Sequence, residues 1–250
     1  MRFQRLPYIV DPSRRPCFPP ELEPDGHGLV AVGGTLDPPI LLEAYAKGIF
    51  PWHDDPAVFW FSPDPRMVLY PGSHHVPRRL SRTIRQRRFR IAFDTDTERV
   101  ILGCAAVPRP GQERTWISAR FRSAYTALAR QGWVHSVAVY SGGELAGGLY
   151  GVCLGRAFCG ESMFSLAPDA SKVAMYYLVA WSRHKGLAFI DCQVPTPHLA
   201  GLGAQEVPRQ RFLGELEEAI AGAQPCSWTL EAAELFADVT EVPPDARTLA

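Results

Sequence analysis

The chain has 250 residues and a mass of 27.7 kDa, with 46% hydrophobic and 21% charged residues. That composition excludes intrinsic disorder, collagen-like repeats and coiled coil, and it suffices for one large core or two small ones. The 26 basic and 26 acidic residues cancel, but unevenly: net charge is −4 over residues 1–65, +8 over 66–93, +3 over 94–212 and −7 over 213–250.

Residues 1–35 are rich in Pro and Gly and end in Gly28-Leu-Val-Ala-Val-Gly-Gly34. Apolar residues at 36, 40, 41, 44 and 45 predict a helix over Leu36–Lys47, closed by Gly48. Gly48-Ile-Phe-Pro-Trp-His53 reads as a loop, Val58–Phe61 as a short aromatic strand, and Ser62-Pro-Asp-Pro65 as a turn cluster. That cluster divides a small N-terminal subdomain (1–62) from a larger unit (63–228), with an acidic tail over 229–250.

The larger unit alternates strands and helices. Strands are predicted at Arg66–Tyr70 and Arg90–Asp94, and helices at Pro77–Arg87, Glu98–Ala106 and Ser118–Gln131. Val134–Tyr140, Glu144–Leu154 and Arg156–Phe164 read as antiparallel strands, the first two joined by Ser141-Gly-Gly143, with a bulge signalled by Gly147-Gly148. A long apolar helix (Ala170–Lys185), a buried strand (Leu187–Val194) and an amphipathic helix (Gln210–Gly222) complete the chain. The order predicts an α+β layer sandwich.

No apolar run reaches the ~18 residues of a membrane span, and Met1-Arg-Phe-Gln-Arg5 lacks a signal peptide's apolar core. The six cysteines show no Cys-x-x-Cys spacing and read as reduced thiols, and the seven histidines form no ligand set. A cytoplasmic monomer without membrane, metal or cofactor is expected. Gly-x-Gly-x-x-Gly, Walker A, Gly-x-Ser-x-Gly and His-Glu-x-x-His are all absent.

Four constellations carry chemistry. Arg66, Arg78, Arg79, Arg82, Arg85, Arg87, Arg88 and Arg90 occupy a stretch without one carboxylate. A solvated helix face is the ordinary reading of such a run, but arginine forks suit phosphate, so a polyanion-binding face is expected here. Trp52 and Trp116 lie outside the apolar elements, where they either seal a surface seam or stack on an unpaired base. Glu161 interrupts Phe158-Cys-Gly-Glu-Ser-Met-Phe-Ser165, as a structural acid or a site residue. Asp191 and Gln193 interrupt a core strand, and its period of two sets them side by side to orient an attacking amine, with Cys192 facing the opposite way.

The chain resembles the bacterial leucyl/phenylalanyl-tRNA–protein transferases. The resemblance rests on Leu29-Val-Ala-Val-Gly-Gly34, Gly48-Ile-Phe-Pro-Trp52, Ser62-Pro-Asp-Pro-Arg66, Thr115-Trp-Ile117, Phe158–Ser165, Asp191-Cys-Gln193, His198-Leu-Ala-Gly-Leu-Gly203 and Val207-Pro-Arg209. It implies an N-acetyltransferase-like sheet and transfer of Leu, Phe or Met from aminoacyl-tRNA to proteins beginning with Arg or Lys, marking them for N-degron degradation. It further implies Asp191 and Gln193 as the catalytic pair and Glu161 as a third site residue. On chemical grounds Asp191 is expected to orient the amine and take its proton after attack while Gln193 fixes its direction, and Glu161 alternatively holds the incoming basic side chain. Leu149, Phe158, Met163, Leu178 and Ile190 form the implied aminoacyl pocket, and Trp52 and Trp116 lie near the terminal adenosine. Position 61 carries Phe where the family pattern has Trp, position 201 carries Gly for Ser, and 149 and 178 carry Leu where Met and Phe occur; the last two bear on the preference among Leu, Phe and Met. Three alternatives compete with this reading: a coenzyme A-dependent N-acyltransferase, disfavoured by Leu166-Ala-Pro-Asp169 where a Gly-rich phosphate loop is needed; a non-catalytic RNA-binding protein, which leaves the Asp/Gln pair unexplained; and a peptidoglycan branching transferase that also uses aminoacyl-tRNA, set apart by its lipid-linked acceptor.

Overall fold

The computed structural model describes residues 7–107, 115–224 and 228; the expected acidic tail and Cys226 lie outside them. Two mixed sheets organise the chain. A four-stranded sheet contains β1 (Tyr8–Val10), β2 (Leu29–Gly33), β3 (Phe50–His53) and β4 (Phe59–Phe61) in the order β1-β2-β4-β3. Helix α1 (Pro38–Ala46) lies between β2 and β3, and its buried Ile40, Leu41, Ala44 and Tyr45 form the predicted stripe. The segment 50–53, expected as a loop, is β3: Pro51 sits opposite Trp60 on an edge strand, where its missing N–H is tolerated.

The seven-stranded sheet runs β11 (Gln205–Val207), β5 (Arg66–Leu69), β10 (Phe189–Gln193), β9 (Ala157–Ser165), β8 (Glu144–Leu154), β7 (Val134–Ser141), β6 (Arg90–Phe93). All its neighbours are antiparallel except β9 and β10, whose parallel pairing requires the crossover helix α5 (Ala170–Lys185). Helices α3 (Thr97–Ala106) and α4 (Ala119–Arg130) share one cluster with the N-terminal sheet and α1, while α2 (Arg78–Arg85) and α5 share another. A short helix α6 (Pro197–Gly201) and α7 (Arg209–Ile220) follow β10. The fold is therefore α+β, a mixed sheet between helices with a small N-terminal α+β unit.

The glycine pair marks close packing and lies beside the bulge. A Cβ on Gly147 would come within 2.6 Å of the Ala170 Cβ, and one on Gly148 within 2.8 Å of the Val137 carbonyl oxygen. The register shift is at Ala146, between partners Tyr140↔Leu145 and Val139↔Gly147. Val207-Pro-Arg209 has a mechanical role: Arg209 donates from its backbone N–H to Asp64 Oδ1 (3.0 Å), from Nε to Ser62 Oγ (2.9 Å) and from Nη2 to the Leu22 carbonyl (3.1 Å). It thereby clasps α7 to both the inter-sheet turn and the N-terminal segment.

Candidate active site

Two register irregularities on neighbouring strands make the site. Along β8–β9, Tyr150 pairs with Ser162 and Gly151 with Gly160, so Glu161 is the extra, unpaired residue. Along β10–β5, Asp191 pairs with Val68 and Gln193 with Met67, so Cys192 is extra. The β9–β10 ladder ends at Asp191↔Cys159, and beyond it the two bulged strands present their side chains to each other. Gln193 Nε2 donates to Glu161 Oε1 at 2.8 Å.

The Glu161 carboxylate is buried, 8% exposed, and Tyr125 of α4 donates its hydroxyl to Oε2 at 2.6 Å. The Tyr125 hydroxyl also lies 2.7 Å from that of Tyr45 on α1. A hydrogen-bonded line thus runs from the N-terminal unit through both tyrosines to Glu161 and Gln193. Burial raises Glu161 to about 7, against the stabilising hydrogen bonds of Tyr125, Tyr45 and Gln193. The same burial pushes both phenols well above their ordinary range, so they serve as neutral donors.

Asp191 has a different setting from the one its spacing suggests. It is fully buried, and Arg66 on β5 grips it bidentately, Nε to Oδ1 at 2.8 Å and Nη2 to Oδ2 at 2.6 Å. Arg66 also donates from Nη1 to the Gly48 carbonyl (3.0 Å), and its guanidinium packs over the rings of Phe50 and Phe212. Two expectations are corrected here. Arg66 belongs to no phosphate-binding surface, because its charge is consumed by Asp191 in the interior. Asp191 and Gln193 do not stand side by side, because the bulge at Cys192 and a left-handed Gln193 (φ 64°) break the period of two. Asp191 Oδ1 instead accepts the Gln193 backbone N–H at 2.9 Å, fixing that strained turn. Both Asp191 carboxylate oxygens are thus engaged, by Arg66 and by the Gln193 backbone, in the interior. The Cys192 thiol is raised by burial, against a nucleophilic role.

The implied pocket residues converge. Leu149 faces Met163 across β8–β9 and Ile190 faces Phe158 across β9–β10, while Leu178 of α5 packs in the same cluster. All but Met163 are buried; Met163 is half-buried at the end nearer Glu161. Trp52 on β3 and Trp116 before α4 are both half-buried, and the Ser118 hydroxyl donating to Asp54 Oδ2 (2.5 Å) draws their segments together. Arg78, Arg79, Arg82, Arg85, Arg87, Arg88 and Arg90 are all exposed, over the buried Leu80 and Ile84 of α2. Among the described residues only Arg79 of these seven forms an ion pair, with Asp169 at 3.3 Å. Tyr45, Tyr125 and the Arg66–Asp191 pair are the site components that sequence reasoning missed.

Comparison with known proteins is decisive about kinship. The family model described as leucyl/phenylalanyl-tRNA protein transferase matches residues 68–217, and the model of that transferase's N-terminal domain matches 34–64. This chain belongs to that transferase family. The leucyl/phenylalanyl-tRNA–protein transferase of Anaeromyxobacter dehalogenans (strain 2CP-C) is 52% identical over 88% of this chain and 95% of its own length. That of Myxococcus xanthus is 51% identical over 85% and 92%, and that of Aromatoleum aromaticum 49% over 88% and 94%. Among solved structures, a GCN5-related N-acetyltransferase from Kribbella flavida aligns with 68% of this chain and 60% of its own at 11% identity, with a TM-score of 0.36. Among the described residues, no His, Cys, Asp and Glu group could hold a metal, and no helix is long and apolar enough to cross a membrane.

Proposed function

We propose that this protein transfers Leu or Phe, and also Met, from aminoacyl-tRNA to the α-amine of proteins beginning with Arg or Lys, so marking them for N-degron degradation. The observation that carries the reading is the meeting of Glu161 with Gln193 beside an apolar cluster, in a chain of this transferase family. The aminoacyl ester is already activated, so the task is aminolysis: the amine must be held neutral against the carbonyl carbon. An α-amine of ordinary pKa near ~8 is about one-tenth neutral at pH 7. As its nitrogen bonds to the carbonyl carbon it becomes acidic. Glu161 takes the proton, the ester C–O bond breaks, and the proton passes to the departing ribose oxygen. Glu161, held at about 7, is suited to both accept and return a proton near neutral pH.

In this reading Gln193 directs the amine and Asp191 acts through Gln193 as a positioning residue. The side chain of the transferred residue enters among Leu149, Phe158, Met163, Leu178 and Ile190. Trp52 and Trp116 flank the terminal adenosine, and Arg78, Arg79, Arg82, Arg85, Arg87, Arg88 and Arg90 meet tRNA phosphates. The test is to incubate the protein with labelled Leu-tRNA and peptides beginning with Arg, Lys or Ala. Label on the Arg and Lys peptides alone is expected; label on none, or equally on all three, overturns the reading.

A further inference from the structure

Trp228, which follows α7 in the sequence, is buried to 3% exposure. Its indole lies flat on the His135 imidazole, with centroids 4.3 Å apart and planes 5° apart. Its backbone N–H points to Asp94 Oδ2 (3.3 Å), the same oxygen that meets His135 Nδ1 at 2.7 Å. Trp228 is therefore seated by a ring stack and a polar anchor.

What it is seated against matters more. Its ring centroid is 5.4 Å from that of Phe158 and 5.5 Å from Trp181, within the cluster holding Leu149, Leu178 and Ile190. Phe158 lies over Gly151, where a Cβ would come within 2.6 Å of its ring and 2.2 Å of the Cys159 carbonyl oxygen. Gly151, lacking a Cβ, leaves the room that the Phe158 ring occupies. Ile190 flanks Phe158 on the neighbouring strand, and Trp228 closes against the ring from beyond the sheet's own residues.

We infer that Trp228 is a positioning residue that sets the depth of the aminoacyl pocket by holding Phe158 in place. This rests on the assignment of the pocket above. Removing the indole frees Phe158 to move back toward the vacated space, so the pocket accommodates the longer Phe side chain better relative to Leu. Because a methylene's difference in such a pocket is worth tenfold or more in discrimination, the ratio of kcat/KM for Phe-tRNA over Leu-tRNA is expected to rise about tenfold in Trp228→Ala. Trp228→Phe, which keeps an aromatic ring on His135, is expected to shift it only a few-fold. A purely structural role would lower both rates together and leave the ratio unchanged. The same ratio measured for Leu178→Ala separates the two levels: an unchanged ratio there overturns the pocket assignment itself. An altered ratio in Leu178→Ala with an unchanged ratio in both Trp228 variants overturns the inference about Trp228 alone.

Discussion

Replacing Asp191 with Asn removes one charge from the most deeply buried ion pair of the site while nearly preserving side-chain shape. Arg66 and Asp191 are each about 1% exposed and share two short hydrogen bonds, 2.8 and 2.6 Å. At an effective dielectric near 20, unit charges ~4 Å apart attract by about 4 kcal/mol, and desolvation of both groups offsets much of that. The pair's net contribution is thus modest, but an uncompensated guanidinium left in its place costs about 3–5 kcal/mol. At roughly 2–4 °C per kcal/mol for a chain of this size, Asp191→Asn should melt roughly 6–20 °C below the wild type, read by calorimetry or circular dichroism. Because Asp191 also holds the Gln193 turn, transfer activity should fall in the protein that remains folded. The double variant Arg66→Met/Asp191→Leu should recover most of the melting temperature without recovering activity. An Asp191→Asn protein within about 1 kcal/mol of wild-type stability would refute this reasoning.

Glu161 gives a pH-dependent counterpart. Burial raises its pKa from 4.5 to about 7, so its contribution to stability is complete below about 4.5 and is lost as pH rises through 7. Denaturant titrations should find Glu161→Gln gaining about 3 kcal/mol on the wild type between pH 4.5 and 8, and a pH-independent difference would count against the buried carboxylic acid. Gly151→Ala places a methyl carbon against the Cys159 carbonyl, a backbone atom that cannot step aside, and should destabilise by about 1–3 kcal/mol or more. An unchanged melting temperature would contradict the close approach of β8 and β9. Arg82→Ala/Arg85→Ala should weaken tRNA binding and reduce the slope of log affinity against log salt by about 2, measured by anisotropy; an undiminished slope would remove these arginines from the interface.

The framework was legible because its signals are local. The apolar stripe of α1, the Ser118 cap of α4, which accepts from Arg120 and Phe121, and the long apolar α5 are each written within one segment. Edge strands were less so: Pro51 argues against a strand unless its place at the sheet edge is known. The site residues Glu161, Asp191 and Gln193 could be singled out as polar interruptions of apolar strands. Their arrangement could not, because it depends on two bulges and on partners far along the chain. Arg66 and Asp191 are separated by 125 positions, and Tyr125 reaches Glu161 from a helix whose apolar pattern would suit any core tyrosine. Arg66 was indistinguishable from the exposed arginines that follow it, since only the strand register shows that its side chain turns inward.

The identity of the proton acceptor is open to direct measurement. In single-turnover transfer of labelled Leu from Leu-tRNA to saturating Arg-initiated peptide, Glu161→Gln should lower the rate constant about 10²–10⁴-fold while leaving tRNA affinity unchanged. A rate constant within about twofold of the wild type, with Glu161→Gln folded, would contradict the assignment of Glu161 as the group that takes the proton.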